Sequence, residues 1–166
     1  MPDTIHRTIT DLNQVHRQLE ELFYRHQVAL LQNHPTEAVE LLQKYEKCVF
    51  HHMKEEEDIL LPIYRQKGGE LRGGDPELFF AEHKKIQEWL NRIRVRLQRL
   101  SPVEPDFKAV IALFDDEAYF KKYMEHHSLR EDRIFYPELD RLLGEKDRLA
   151  LLRLLSFSIE EMGEAN

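Results

Sequence analysis

A single cysteine, Cys48, stands in 166 residues. No disulfide can form within the chain, so the fold has to rest on a packed core, which agrees with a reducing compartment. No apolar run approaches the ~20 residues that a bilayer span needs, which argues against a membrane partner. The N-terminal "MPDTIHRTITDLNQ" lacks the basic start and apolar stretch of a secretory leader, and the expected compartment is the cytoplasm. Positive charge is also short, with 24 Lys and Arg against 31 Asp and Glu and a formal net charge of -7. A surface of that sign repels phosphate backbones, so nucleic acid is excluded as a generic partner. The one basic stretch, "NRIRVRLQRL" (91–100), sets its arginines around Ile93, Val95 and Leu97 and reads as the solvated face of a helix.

Glycine and proline are few and concentrated in the breaks "NHPTE" (33–37), "KGGELRGGDPE" (67–77) and "SPVEPD" (101–106), with a further break at Gly144. Between them run long segments rich in Leu, Glu, Lys, Gln and Arg, with no sustained two-residue alternation, so the fold class is all-α. The breaks leave helical segments at about 4–33, 36–66, 76–100, 106–143 and 146–161. Short connections force neighbouring helices to be antiparallel, which predicts an up-down-up-down four-helix bundle within one domain. The last segment, "DRLALLRLLSFSIEEM", repeats leucine at helical spacing. It can cover one side of the bundle or make a homodimer contact.

The two halves echo each other. "HMKEEEDILLPIY" and "HSLREDRIFYPEL" each carry a histidine, a glutamate four residues on, and a proline ten residues after the histidine. Proline so far into a helix removes a backbone hydrogen bond, so Pro62 and Pro137 are expected to kink the chain near the last turns of their helices. Each copy begins in a histidine doublet, and the second copy settles which member matters. His126 is followed four residues on by Arg130, which cannot bind a cation, whereas His127 is followed by Glu131. Aligned on the prolines, His52 and Glu56 are the counterparts of His127 and Glu131.

Helical phase agrees. His52 and Glu56 interrupt an apolar stripe of Tyr45, Val49, Ile59 or Leu60, and Ile63, while His51 shares its face with Lys44, Lys47, Glu55 and Asp58, a pattern of solvent exposure. Two further histidines lie on apolar stripes, His16 between Leu12 and Leu19, and His83 between Phe79 and Ile86. In antiparallel helices, residues equidistant from a turn lie at one depth. The midpoints of His16 with His52, His52 with His83, and His83 with His127 fall at residue 34, at 67–68 and at 105, each in a predicted turn. His16, His52, Glu56, His83, His127 and Glu131 should therefore converge on one layer of the bundle.

Burying carboxylates and imidazoles is costly unless they are paired or coordinated. Residues i and i+4 share a helix face about 6 Å apart, a spacing that lets one histidine and one carboxylate reach the same ion. A mixed nitrogen and oxygen set favours iron or manganese, with zinc and copper also compatible. Six side chains exceed the needs of one ion with an open position and suit two ions bridged by carboxylates. His26, about 15 Å further along its helix, is too distant to join them. His6 and His34 are expected in solvent, Cys48 as a small buried hydrophobe, and Tyr45 and Tyr123 as packing near the site.

The ordered segments "VHRQLEELF", "HMKEEEDILLP", "EHKKIQEWL" and "HSLREDRIFYP" resemble the hemerythrin-like family, the HHE cation-binding domain, over about residues 8–140. The resemblance implies a non-haem di-iron centre, with the six residues above as ligands and the two glutamates as bridges. One position departs: oxygen-carrying members have a second histidine one turn after the third-helix ligand, where this chain has Gln87. The resemblance then implies O2 or NO binding in sensing, iron handling, or repair of iron-sulfur centres under oxidative or nitrosative stress. A di-iron oxidase or peroxidase-like enzyme, or a metal-stabilised interaction module, are the alternatives.

Overall fold

The computed structural model describes residues 7–69 and 73–164, the last of these in its backbone only. His6 and the first expected turn of the first helix lie outside them. Among the described residues every regular element is helical. A 3-10 turn, Ile9–Leu12, leads into α1 (Asn13–Leu31); α2 (Pro35–Glu55) runs through a π-helical turn, Glu56–Leu60, into α3 (Leu61–Gln66). α4 (Pro76–Leu97) is followed by α5 (Phe107–Arg130), a second π turn, Glu131–Phe135, and α6 (Tyr136–Leu142). Two short helices, α7 (Glu145–Leu152) and α8 (Ile159–Glu164), close the described chain. α1 packs along α2 and α4 along α5, while α2 with α4 and α1 with α5 close the ring of the antiparallel bundle.

Local chemistry sets the helix ends. Pro35 and Pro76 open α2 and α4, where a missing N–H costs nothing. The carboxylates of Asp75 and Asp106 accept from the backbone N–H groups of Glu77 and Ala109 at 2.9 and 3.0 Å. α1 ends where Asn33 turns left-handed, φ 58°, and α3 where Gly68 does, φ 77°. At the chain start, Asp140 of α6 accepts from the N–H groups of Ile9 and Thr10 at 2.9 and 3.0 Å, tying the first turn to the last bundle helix.

One sequence expectation gains detail here and another needs revision. The prolines do lie near the last turns of their helices, which end at Gln66 and Leu142. Pro62 and Pro137 sit just after the two π turns, at the start of resumed α-helix. Proline cannot donate to the carbonyl four residues back, and each helix takes up that break by widening one turn before it. The segment expected as one helix over 146–161 is two, because the Ser156 N–H and hydroxyl both bond Glu55 and the chain turns there. That turn sends Leu155 and Phe157 into one apolar core and Met162 into another.

Those two cores lie on either side of a polar layer. One holds Phe23, Tyr45, Val49, Ile86, Leu90 and Phe120; the other holds Leu12, Leu60, Phe79, Phe135 and Leu139. Along each main helix, the histidine or glutamate of interest falls where residues of the first core give way to residues of the second.

Candidate metal centre

All six side chains named from the sequence meet in that layer, each at most 6% exposed. His16, His52, Glu56 and Glu131 each offer a ligand atom within 4.8 Å of the others, and so do Glu56, His83, His127 and Glu131. The two quartets share both glutamates, and each glutamate divides its oxygens between them. Glu56 sets Oε1 3.6 Å from His52 Nε2 and Oε2 3.3 Å from His83 Nε2. Glu131 sets Oε2 3.2 Å from His16 Nε2, and Oε1 3.5 Å from His83 Nε2 and 3.0 Å from His127 Nε2.

Whether this layer suits cations is decided by what its atoms lack. Glu56 Oε2, His83 Nε2 and both oxygens of Glu131 are buried without a hydrogen bond, which is costly for atoms of this kind. His16 Nε2 and His52 Nε2 face each other at 3.1 Å, where a single proton is the most they can share. Acceptor atoms converging on two points without donors between them fit a pair of positive ions.

In the metal-free chain, protons stand in for those ions. Burial alone would lower His16, yet the neighbouring Asp132 and Glu131 carboxylates push it up to about 10. Burial is likewise outweighed at His83, raised to about 11 by Glu131 and Glu56, and at His127, raised to about 9 chiefly by Glu131. Burial would raise Glu131, but His127, His16 and His83 together hold it well below the usual carboxylate range. His52, by contrast, is lowered by burial.

An outer ring of carboxylates orients the imidazoles. The Nδ1 atoms of His16, His83 and His127 lie 3.0, 2.9 and 2.9 Å from Asp132, Glu57 and Glu82, and Arg130 Nε donates to the other oxygen of Glu82 at 3.0 Å. Such partners fix which ring nitrogen faces the centre. His52 Nδ1 is buried without one. Sequence reading passed over these three acids, although Glu57 and Asp132 each directly follow a repeat glutamate and Glu82 directly precedes His83.

Tyr136 was missed as well. Its hydroxyl donates to Glu56 Oε1 and lies 3.3 Å from Nε2 of both His16 and His52. It is five residues beyond Glu131, a spacing that an α-helix turns away and a π turn brings onto one face.

Other residues take structural places. His51 and Glu55, expected on the solvent face, are instead partly covered by the C-terminal segment, and both bond the Ser156 hydroxyl, at 3.1 and 2.7 Å. The Cys48 thiol points to the Ile159 carbonyl of α8, 3.8 Å away. His26 is fully buried between the Ala38 carbonyl and Glu117, at 2.8 and 2.7 Å. Gln87 is exposed and adds nothing to the layer. Arg92 and Arg96 pair with Asp116 at 2.9 and 2.7 Å, so the basic stretch is partly spent on intramolecular ion pairs.

A cavity of about 340 Å³ runs from the layer toward the surface between α1, α2 and α5. Its walls include Phe23, Tyr45, Val49, Met53, Phe120 and Met124 together with Glu20, Gln27, Lys121 and Glu125; it also touches His16, His52, His127 and Glu131.

Fold and site together define an all-helical bundle whose buried histidines and carboxylates can hold cations. Residues 3–64 match the family model of the Hemerythrin HHE cation binding domain. That match takes in His16, His52 and Glu56, while His83, His127 and Glu131 come from the second half of the bundle. Neither a curated protein nor a solved structure matches the chain. Among the described residues no helix is long and apolar enough to cross a membrane.

Proposed function

We propose that the chain is a non-haem di-iron protein, with His16 and His52 on one iron, His83 and His127 on the other, and Glu56 and Glu131 bridging them. The observation that carries this reading is the division of each glutamate's oxygens between the two quartets. A nitrogen and oxygen ligand set without thiolate favours iron over softer choices. Iron held there supplies electron exchange and open positions for a diatomic ligand, O2 or NO. The chain's own residues do the rest. Asp132, Glu57 and Glu82 hold three imidazoles in register, and the mainly apolar cavity offers a small uncharged molecule a path to the layer. Sensing, iron handling or repair of iron-sulfur centres under oxidative or nitrosative stress are the roles this suits, with bundle and C-terminal helices acting as one domain.

The second reading, a peroxidase-like or oxidase activity, draws on Gln87, whose exposure leaves the His83 and His127 position with fewer protein ligands. Anaerobic loading with ferrous iron, elemental analysis and then exposure to O2 separate the two. Two irons per chain with a stable, reversible absorption change supports ligand binding, and sustained peroxide consumption supports turnover. Failure to bind iron, or retention of both ions by the His52→Ala, Glu131→Ala double variant, refutes the di-iron reading.

A further inference from the structure

The two quartets are not equivalent, and Tyr136 is what separates them. Its hydroxyl sits among the ligand atoms of one quartet only. The residue at the matching place in the first repeat, one before the proline, is Leu61, which has nothing to coordinate with.

Hydrogen bonding alone does not account for where this hydroxyl lies. Tyr136 has one proton, and it goes to Glu56 Oε1. The hydroxyl oxygen nonetheless stands 3.3 Å from His16 Nε2 and 3.3 Å from His52 Nε2, and those nitrogens stand 3.1 Å from each other. With His16 Nδ1 turned to Asp132 at 3.0 Å, the inward Nε2 of the metal-free ring has at most one proton to offer, and a ring that binds a cation presents its lone pair there instead. That one proton cannot serve His52 Nε2, Tyr136 Oη and Glu131 Oε2 together, whereas a cation beside the triangle would meet all of them.

The triangle has the dimensions a cation would impose. Two neighbouring ligands on an octahedral ion with bonds of about 2.1 Å lie about 3.0 Å apart. Edges of 3.1, 3.3 and 3.3 Å among His16, His52 and Tyr136 match one face of such an octahedron, and the 3.2 Å from His16 Nε2 to Glu131 Oε2 extends it. The Tyr136 ring is buried and stacked on His16, with centroids 5.7 Å apart and planes 24° from parallel, so the oxygen is held in place by packing.

We propose that Tyr136 Oη is a metal ligand, completing a His16, His52, Tyr136 face on one ion of the pair and making that ion chemically distinct from its neighbour. This rests on the di-iron reading above. Coordination replaces the Oη–H bond by an Oη–metal bond and releases one proton to water, with no electron transferred. The His16 and His52 ion then has five protein ligands and the other has four, so the more open ion is the one at His83 and His127.

The test uses the full chain, loaded anaerobically with ferrous iron, oxidised with ferricyanide, and compared with Tyr136→Phe. Iron content is measured on the same samples. A ferric phenolate gives a visible charge-transfer band, and resonance Raman excitation within it enhances tyrosine ring modes that shift when the protein is grown with ring-deuterated tyrosine. The expected result is two irons in both proteins, with the band and its isotope-sensitive modes in wild type and neither in Tyr136→Phe. Two irons in wild type without tyrosine modes, or a band that survives in Tyr136→Phe, overturns the proposal and leaves the di-iron reading standing. Wild-type protein that takes up no iron overturns both. The Raman measurement on wild type decides the matter even if the variant fails to fold.

Discussion

The outer carboxylates allow the two quartets to be perturbed one at a time. Asp132→Asn keeps the size of the side chain but removes the charge that accepts the His16 Nδ1–H at 3.0 Å. Loss of such a partner typically weakens metal binding by about 10–100-fold, or about 1.4–2.8 kcal/mol. The Asp132 side chain is 27% exposed, so water screens part of its charge and the lower end of that range is expected. Glu57→Gln makes the matching change at His83, and Glu82→Gln at His127. Glu82 is 11% exposed and also fixed by Arg130, so its loss should approach the upper end. The assay is an anaerobic titration with ferrous iron against a competing chelator, resolved into two binding steps. Asp132→Asn should weaken mainly one step and Glu57→Gln mainly the other. If both variants weaken the two steps alike, or neither changes them, the assignment of Asp132 and Glu57 to separate ions is wrong.

The remaining predictions concern protons, the buried His26–Glu117 bond and the C-terminal clamp. Ions entering the layer must displace protons from His16, His83 and His127, held at about 10, 11 and 9 in the metal-free chain. Metal affinity should therefore rise with pH above neutrality, and calorimetry in buffers of different ionisation enthalpy should show proton release. An affinity flat between pH 6 and about pH 9 would contradict these shifts. For metal-free protein the sign reverses. Raised histidines contribute stability that is fully present below their unfolded value near 6.5 and lost as pH climbs through about 9–11, while lowered Glu56 and Glu131 contribute stability that fades in acid below about 4.5. Urea melts of metal-free protein should thus be most stable in between. Glu117→Ala strips both His26 and Gln27 of their buried acceptor, bonded at 2.7 and 2.8 Å. It should cost about 3–5 kcal/mol by denaturant melt, with iron per folded chain unchanged; a loss of iron would tie His26 to the centre. Glu55→Ala releases the Ser156 N–H and hydroxyl and should cost about 1–2 kcal/mol. Amide exchange should quicken over residues 156–164, and unaltered exchange there would dismiss the clamp.

His52 and Glu56 were legible in the sequence because a repeated spacing, an apolar stripe and a depth relation all depend on helix geometry alone. The same holds for His16, His83, His127 and Glu131, each of which has apolar residues three or four positions away on its own face. Gly and Pro breaks delimited the main helices for a similar reason, since backbone constraints act locally. The C-terminal segment escaped that logic. Its leucines fit one helix, and only Glu55, about a hundred residues earlier in the chain, accounts for the turn at Ser156.

What the sequence determined by itself was an all-helical chain with six metal-competent side chains at one level, because periodicity of 3.6 residues carries that information without any knowledge of neighbours. Tertiary structure decided how the six are shared: which oxygen of Glu56 and Glu131 faces which histidine, and which acid stands behind each ring. It also decided that Tyr136 enters, through a π turn that no ideal helical count reproduces. Those outcomes depend on distances between helices and on a local change of pitch, and neither is encoded in the spacing of residues along one strand of sequence.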